Sequence, residues 1–387
     1  VLVRANFDVP IKDGQVQDST RVAAAVETIE YLIEQECKVV IISHLGRPEG
    51  EDDSCSLMPV RFELGNHLNT SIKFAHLTAC ENSIKFMEAG EVLLLENLRF
   101  YEDEESDDLE SAKEFFAPLL DLCDVYVNDN FGLYRKHASV YTLPQLMPSY
   151  AGFTIQRETE ALNRLKKDTE SPFVAVLGGA KTDTKVHIVK TLIDDVDTML
   201  IGGALAYTFL KAQGVEVGDS EVEEKQLKQA KEILDLAKKH NVDVRLPIDH
   251  LAGKEKKEES EVIQVDTQHI PEGLVGLDIG PKTVEVFREI IETAKTIMWN
   301  GPIGIFEWEN FATGTESVGQ YIALSAPRDA FKVAGGSETT MAINNLKIRQ
   351  KRFDHISTGG GMMTQYIASD SEDDFEVLQI LSGEQKL

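Results

Sequence analysis

Basic residues are in short supply in this 387-residue chain: 39 lysines and arginines stand against 66 aspartates and glutamates, for a formal net charge of -27. So large an acidic excess makes nucleic acids and anionic membranes poor partners. Cysteines are scarcer still. The 4 present, Cys37, Cys55, Cys80 and Cys123, fall in the first third, with no CxxC pair and no histidine spacing suited to zinc. They read as reduced thiols of a cytoplasmic protein. No stretch approaches the ~18 apolar residues of a membrane span, and no succession of charged, apolar and small residues resembles a signal peptide. The acceptor pattern Asn69-Thr70-Ser71 therefore lacks a secretory context. Val1 already stands in an apparent strand, so a short N-terminal piece is expected before it. Repeats at solenoid periods are missing too.

A hydrophobic content of 42% over this length suffices for two cores, so two domains of roughly 150–200 residues are expected. Short apolar, β-branched runs at 1–4, 39–43, 92–95 and 125–127, then at 173–177, 199–201, 296–299 and 331–334, alternate with helical patterns. Such alternation predicts an α/β protein of parallel sheets covered by helices on both faces. Acids early and bases late predict a solvated helix over 221–240. Prolines and a glycine at 144–152, then a charged helical stretch to about residue 167 and Pro172, predict a connector between domains. The charged patches at 253–260 and 369–376 lack periodicity and read as surface loops.

Different chemistry follows the strands of the two halves. In the first half the loops collect bases: His44 and Arg47 in "SHLGRP", Arg99 in "LLLENLRF" and Arg135 in "YVNDNFGLYRKHAS", with Arg21 near a helix start in "STRVAAAV". Ligands of open α/β sheets bind beyond the carboxyl ends of strands, and guanidinium groups grip carboxylate and phosphate bidentately. The implied ligand is a small polyanion. In the second half the loops are glycine-rich: "LGGAKTDTK", "IGGALAYTF", "WNGPIGIFE", "AGGSETTMA" and "STGGGMM". Glycines let backbone N–H groups approach phosphate at helix starts, and five such loops indicate a nucleotide. Neither GxxxxGK[ST] nor GxGxxG occurs. An anion site and a nucleotide site on opposite sides of a connector imply phosphoryl transfer.

Taken together, "SHLGRP", "LLLENLRF", "VNDNFG", "LGGAK", "AYTFLKAQG", "LDIGPKT", "WNGPIGIFE" and "HISTGGG" resemble the phosphoglycerate kinase family, in its order and spacing, essentially end to end. The resemblance implies two doubly wound (Rossmann-like) domains joined by a hinge helix: 1–153 for 3-phosphoglycerate, 154–168 as the interdomain helix and 169–370 for nucleotide, with a tail, 371–387, that packs back on the first domain. It implies reversible transfer of phosphate from ATP to the carboxylate of 3-phosphoglycerate, giving 1,3-bisphosphoglycerate and ADP, with magnesium, in a cytoplasmic monomer. By position, Asn6, Asp8, Arg21, His44, Arg47, Arg99 and Arg135 match the 3-phosphoglycerate site, with Arg21 also at the transferred group. Lys181 and Lys185 match lysines on the nucleotide phosphates and the moving group. Gly178, Gly179, Gly202, Gly203, Asn300, Pro302, Gly304, Glu307, Gly335, Gly336, Glu338, Thr339, Gly359, Gly360 and Gly361 match the nucleotide side, Glu307 at the ribose and Glu338 at the metal.

Several positions depart from the family pattern. "RANFDVP" carries Asn6 then Asp8 where Asp then Asn is usual; residues i and i+2 of an extended segment face the same way, ~7 Å apart, so Asp8 is expected still to touch substrate. "GLYRKHAS" is one residue short and lacks its first histidine, Asp183 and Thr184 appear exchanged, and Ala204 replaces a glycine. In "GGSETT", Ser337 replaces a glycine and Glu338 an aspartate, which moves the carboxylate by about 1.5 Å. Magnesium demands near-octahedral geometry but keeps waters and nucleotide oxygens, so Glu338 is expected to remain the metal-side carboxylate. A binding-only relative and a dinucleotide-dependent oxidoreductase are the competing readings; retention of Arg21, Lys181 and Lys185 speaks against the first, the missing GxGxxG against the second.

Overall fold

The computed structural model describes residues 1–179, 182–369 and 374–381. They form two compact units, Val1–Thr159 with residues of Ser371–Leu387, and Glu160–Asp370.

In the first unit, strands β1 (Leu2–Arg4), β2 (Val39–Ile42), β3 (Lys73–Ala75), β4 (Val92–Leu95), β5 (Tyr126–Asn128) and β6 (Ser149–Ala151) form one sheet in the order β3-β4-β2-β1-β5-β6. Every pairing in it is parallel. The central runs are buried along their whole length, as continuous apolar strands covered on both faces must be. Alternation still sorts them: Val39 and Ile41 pack with Val3, Val92 and Leu94 on one side of the sheet, which leaves Val40 and Ile42 to the other.

The second unit repeats the design. Strands β7 (Phe173–Leu177), β8 (Thr198–Ile201) and β9 (Asp243–Arg245) precede a three-stranded antiparallel sheet of β10 (His250–Gly253), β11 (Ile263–Val265) and β12 (Val275–Ile279). Strands β13 (Thr296–Asn300), β14 (Phe331–Gly335) and β15 (His355–Ser357) complete the main sheet in the order β9-β8-β7-β13-β14-β15, all parallel. Its core gathers on Trp299, with Val174, Val176, Ile297 and Phe287 around it. Among the described residues no helix is long and apolar enough to cross a membrane.

Two expectations, the connector at 144–152 and the helix over 221–240, change. Residues 144–152 are no free connector, because Ser149–Ala151 pairs with Tyr126–Asn128 as the edge strand β6. The division between units falls inside the helix Phe153–Lys167, whose start is held by Asp129 accepting from the Thr154 N–H (2.9 Å). The helix expected over 221–240 begins at Leu227, after a 3-10 turn at Glu224–Gln226. The residues before it are tied elsewhere: the Gly276 N–H donates to Ser220 Oγ (2.9 Å) and the Glu223 N–H to Thr208 Oγ1 (3.1 Å). In the C-terminal segment, the short helix Glu376–Gln379 seats Val377 against Leu133 and Val140, and Glu376 meets Lys136 at 2.7 Å.

Candidate active site

The loop after β2 explains why an apolar strand ends in bases. At the end of β1 beside it, Arg4 is wholly buried. Its Nε donates to Ser139 Oγ (2.7 Å), its Nη1 to the Ala5 carbonyl (2.6 Å) and its Nη2 meets His44 Nδ1 at 3.0 Å. Guanidinium has no acceptor, so His44 Nδ1 accepts and the ring proton sits on Nε2. Burial holds the His44 pKa well below its ordinary value, and the positive fields of Arg4, Arg99 and Arg21 push the same way. His44 therefore works as a neutral donor. Glu104, equally buried, lies 3.6 Å from Arg4 and accepts from the Ser139 hydroxyl (2.6 Å) and N–H (3.1 Å).

Around this base the predicted anion site assembles. Asp8 accepts from the Gly46 N–H (2.9 Å), lies 3.7 Å from Arg21 and has its carbonyl bonded by the same guanidinium. Asn6 is buried, with Oδ1 3.4 Å from the Asp8 N–H. Arg99 Nη1 donates to the Gly46 carbonyl (2.6 Å), whereas its buried Nε has no hydrogen-bond partner. Arg47 and Arg135 are exposed; the charge of Arg47 acts on Arg99 and that of Arg135 on His137. His137 was not singled out in the sequence, although it stands in "RKHAS". It is buried with an unpaired Nδ1, and burial followed by the charge of Arg99 lowers its pKa to about 4. Buried polar atoms are almost always satisfied, yet Arg99 Nε has only the Glu105 carboxylate at 3.8 Å and His137 Nδ1 has no hydrogen-bond partner, both beside Arg4, Arg21, Arg47 and Arg135.

In the second unit a cavity of about 350 Å³ is lined by Gly179, Gly203, Ala204, Tyr207, Glu307 and Glu338, with Pro302 and Gly304 also on its wall. Glycine works here differently from the sequence expectation. The N–H groups of Gly178, Gly179, Gly202 and Gly203 already donate to the carbonyls of Asn300, Pro302, Leu177 and Ile303, at 2.6–3.0 Å. At Gly178 a Cβ would lie 2.0 Å from the Pro302 carbonyl oxygen. These glycines let the loops touch each other and shape the wall. Backbone left open lies elsewhere, at the starts of the helices Ser337–Asn345 and Gly361–Ala368, which no side chain caps. Gly336 precedes the first at φ +96 and Gly360 the second at φ +54, conformations that glycine adopts freely. Gly335, by contrast, is packed against Met363, and Gly359 donates to Ser357 Oγ (3.2 Å).

Asn300 joins this cradle to the lysine expected on phosphates. Its Nδ2 donates to the Gly335 carbonyl (2.8 Å) and its Oδ1 accepts from Lys185 Nζ. Thr339 Oγ1 accepts from the Gly301 N–H (2.7 Å) and so holds the same turn. Burial lowers the Lys185 pKa to about 8, with the Glu338 carboxylate pulling against it. Lys181 and the side chains of Asp183 and Thr184 lie outside the described residues.

Residues 1–370 match the family described as Phosphoglycerate kinase. The chain belongs to the phosphoglycerate kinase family. Curated phosphoglycerate kinases agree: that of Dictyoglomus turgidum is 42% identical over 98% of this chain and 95% of its own length, and that of Borrelia hermsii 40% identical over 95% and 93%. Solved phosphoglycerate kinase structures from Coxiella burnetii (33% identity, TM-score 0.83, 98% and 95% covered) and Pyrococcus horikoshii (32%, 0.85, 99% and 95%) share the fold. The chain is accordingly a phosphotransferase of glycolysis, with the phosphoglycerate kinase fold of two parallel-sheet α/β units. With that, the oxidoreductase and binding-only readings fall away.

Proposed function

We propose that the two units divide the phosphoglycerate kinase reaction, the first holding 3-phosphoglycerate on its basic loops and the second holding ATP in its glycine-shaped cavity. The observation that carries this is the buried Arg99 Nε and His137 Nδ1, without hydrogen-bond partners among the basic loops of one unit, together with two uncapped helix starts in the other, the first of which puts Glu338 on the cavity wall. Asp8, Arg21, His44, Arg47, Arg99 and Arg135, with Asn6 behind them, are assigned to the acid substrate; His44 offers it Nε2–H. Lys185, Gly336, Gly360, Glu307, Glu338 and the outlying Lys181 are assigned to the nucleotide. The acceptor carboxylate is ionised at neutral pH, so no general base is needed, and catalysis reduces to positioning and charge stabilisation. Transfer requires the two ligands to meet in line, with the helix Phe153–Lys167 as the hinge. Calorimetric titration of 3-phosphoglycerate into Arg99→Met and of ADP into Glu307→Ala tests the division: each variant should lose one ligand and keep the other, and loss of the wrong ligand would reverse the assignment.

The donor set suits magnesium. No group of three histidine, cysteine or acidic side chains that could cage a metal occurs among the described residues. Glu338 is an exposed carboxylate on the cavity wall at the start of the helix Ser337–Asn345, which fits an ion held by one carboxylate and by phosphate oxygens. When bound, that ion supplies neutralisation of the charge between the outer phosphates. Glu338→Ala should raise the magnesium needed for half-maximal ADP binding about tenfold, roughly the value of one charged ligand bond; an unchanged requirement removes Glu338 from the metal.

Lys185 gives a second, pH-dependent signature. With its pKa at about 8, it is half-deprotonated at pH 8 in the nucleotide-free protein. Phosphate oxygens favour the charged form, so binding raises that pKa and takes up a proton. ADP binding at pH 8 should consume about half a proton, read by calorimetry in buffers of different ionisation enthalpy, and Lys185→Met should abolish the uptake.

The acidic surface and the free cysteines support a cytoplasmic protein that binds neither nucleic acid nor membrane. We take it to act as a monomer.

A further inference from the structure

The nucleotide cavity carries a charged pair that neither the phosphates nor the ribose accounts for. Glu221 and Lys256 both line it, and Lys256 Nζ donates to Glu221 Oε2 at 2.5 Å. They come from separate loops, Glu221 from the segment before the helix Leu227–Lys239 and Lys256 from the turn after β10. The first loop is anchored by the Gly276 N–H donating to Ser220 Oγ and the Glu223 N–H to Thr208 Oγ1, so Glu221 is placed between two fixed neighbours. Both side chains remain about half exposed, 52% for Glu221 and 53% for Lys256. Exposed pairs of this kind add little to stability. Their position is therefore the informative feature: apart from them, Glu307 and Glu338 the wall carries no charge, and it includes Tyr207, Leu277 and Trp308.

We infer that Glu221 and Lys256 read the nucleobase, the Glu221 carboxylate accepting from the exocyclic amino group of adenine while Lys256 holds the carboxylate and donates to the adjacent ring nitrogen. This rests on the assignment of the cavity to ATP. Glu338 and Gly179 mark the phosphate end and Glu307 the ribose, which leaves the base to the apolar wall and the pair at its edge. Ligand pockets are commonly built so, with apolar walls and a few placed polar groups that fix orientation. The chemistry matches as well. Adenine presents one N–H donor beside one ring acceptor, and the pair presents one free carboxylate oxygen beside an ammonium with unused protons.

The test compares kcat/KM for ATP with that for purine-riboside triphosphate, which keeps the ring nitrogen and lacks the amino group. The native protein should favour ATP about five- to tenfold, the value of one partly solvated charge-assisted bond. Glu221→Leu should bring the ratio to near one, Glu221→Gln, which still accepts, should keep most of it, and Lys256→Met should lower the ratio in part. A native ratio of one, or a preference that survives Glu221→Leu, overturns the inference. Glu307→Ala serves as the separate control: if it leaves the KM for ATP unchanged, the cavity is not the nucleotide site, whereas a raised KM with a flat base ratio condemns the base reading alone.

Discussion

Replacing Arg21 by methionine should lower kcat by about 10³-fold, the lower end of what an arginine on a transferring phosphoryl group supplies, with the KM for 3-phosphoglycerate changed only a few-fold. The side chain starts the helix Thr20–Glu34 and is held by Asp8 through both the carbonyl and the carboxylate, so its fork is aimed before any ligand arrives. Folding should suffer little, because the pair with Asp8 is partly exposed and a cation at a helix start opposes the helix dipole. Arg21→Lys keeps the charge but not the planar fork, and should recover only part of the rate. ATP-dependent phosphorylation of 3-phosphoglycerate, coupled to reduction of the product, measures all three proteins. A loss of under tenfold in Arg21→Met would place the transferred group on other residues.

The largest effect on stability should come from Arg4→Met. The arginine and Glu104 are both at 0% side-chain exposure, and burial drives the Glu104 pKa up while Arg4 holds it down. Removing one member of a buried pair strands the other, at about 3–5 kcal/mol. For a unit of this size that is a fall in Tm on the order of 10 °C. Glu104→Gln in the same chain should restore much of the loss, since the stranded charge is gone while Ser139 keeps an acceptor. His44 would meanwhile lose the donor that sets its tautomer, so the double variant should regain stability without regaining native affinity for 3-phosphoglycerate. Thermal unfolding and calorimetric titration of both variants check this; a shift of only a degree or two in Arg4→Met would show that the pair is not buried as described.

Legibility in the sequence followed burial. Strands such as Val39–Ile42, Val92–Leu95 and Phe173–Leu177 were evident because a strand covered on both faces reads as one apolar run. Edge strands were not: Lys73–Ala75, Ser149–Ala151 and His355–Ser357 are three residues long and at least partly exposed, so little in their composition separates them from loop. The antiparallel sheet went unnoticed for a related reason, since its short strands His250–Gly253 and Ile263–Val265 are interrupted by the polar residues His250 and Gln264 and do not read as apolar runs. The expected helix start at residue 221 failed because propensity and charge order cannot register Ser220 Oγ and Thr208 Oγ1, which bond that segment to neighbouring elements instead.

From the sequence alone came the class of chemistry: bases after the strands of one half, glycines after those of the other, and motifs whose order and spacing already resembled one family. Those features are local, because a strand's end and the loop that follows are adjacent in the chain. Tertiary structure alone decided which groups are free to act. It spends the amides of Gly178, Gly179, Gly202 and Gly203 on neighbouring loops and leaves the helix starts after Gly336 and Gly360 uncapped. It sets the His44 proton through an arginine 40 residues away and brings Lys256 to Glu221 across 35. Hydrogen bonds between distant segments depend on how the sheets and loops pack, and that packing is a property of the whole fold rather than of any stretch of chain.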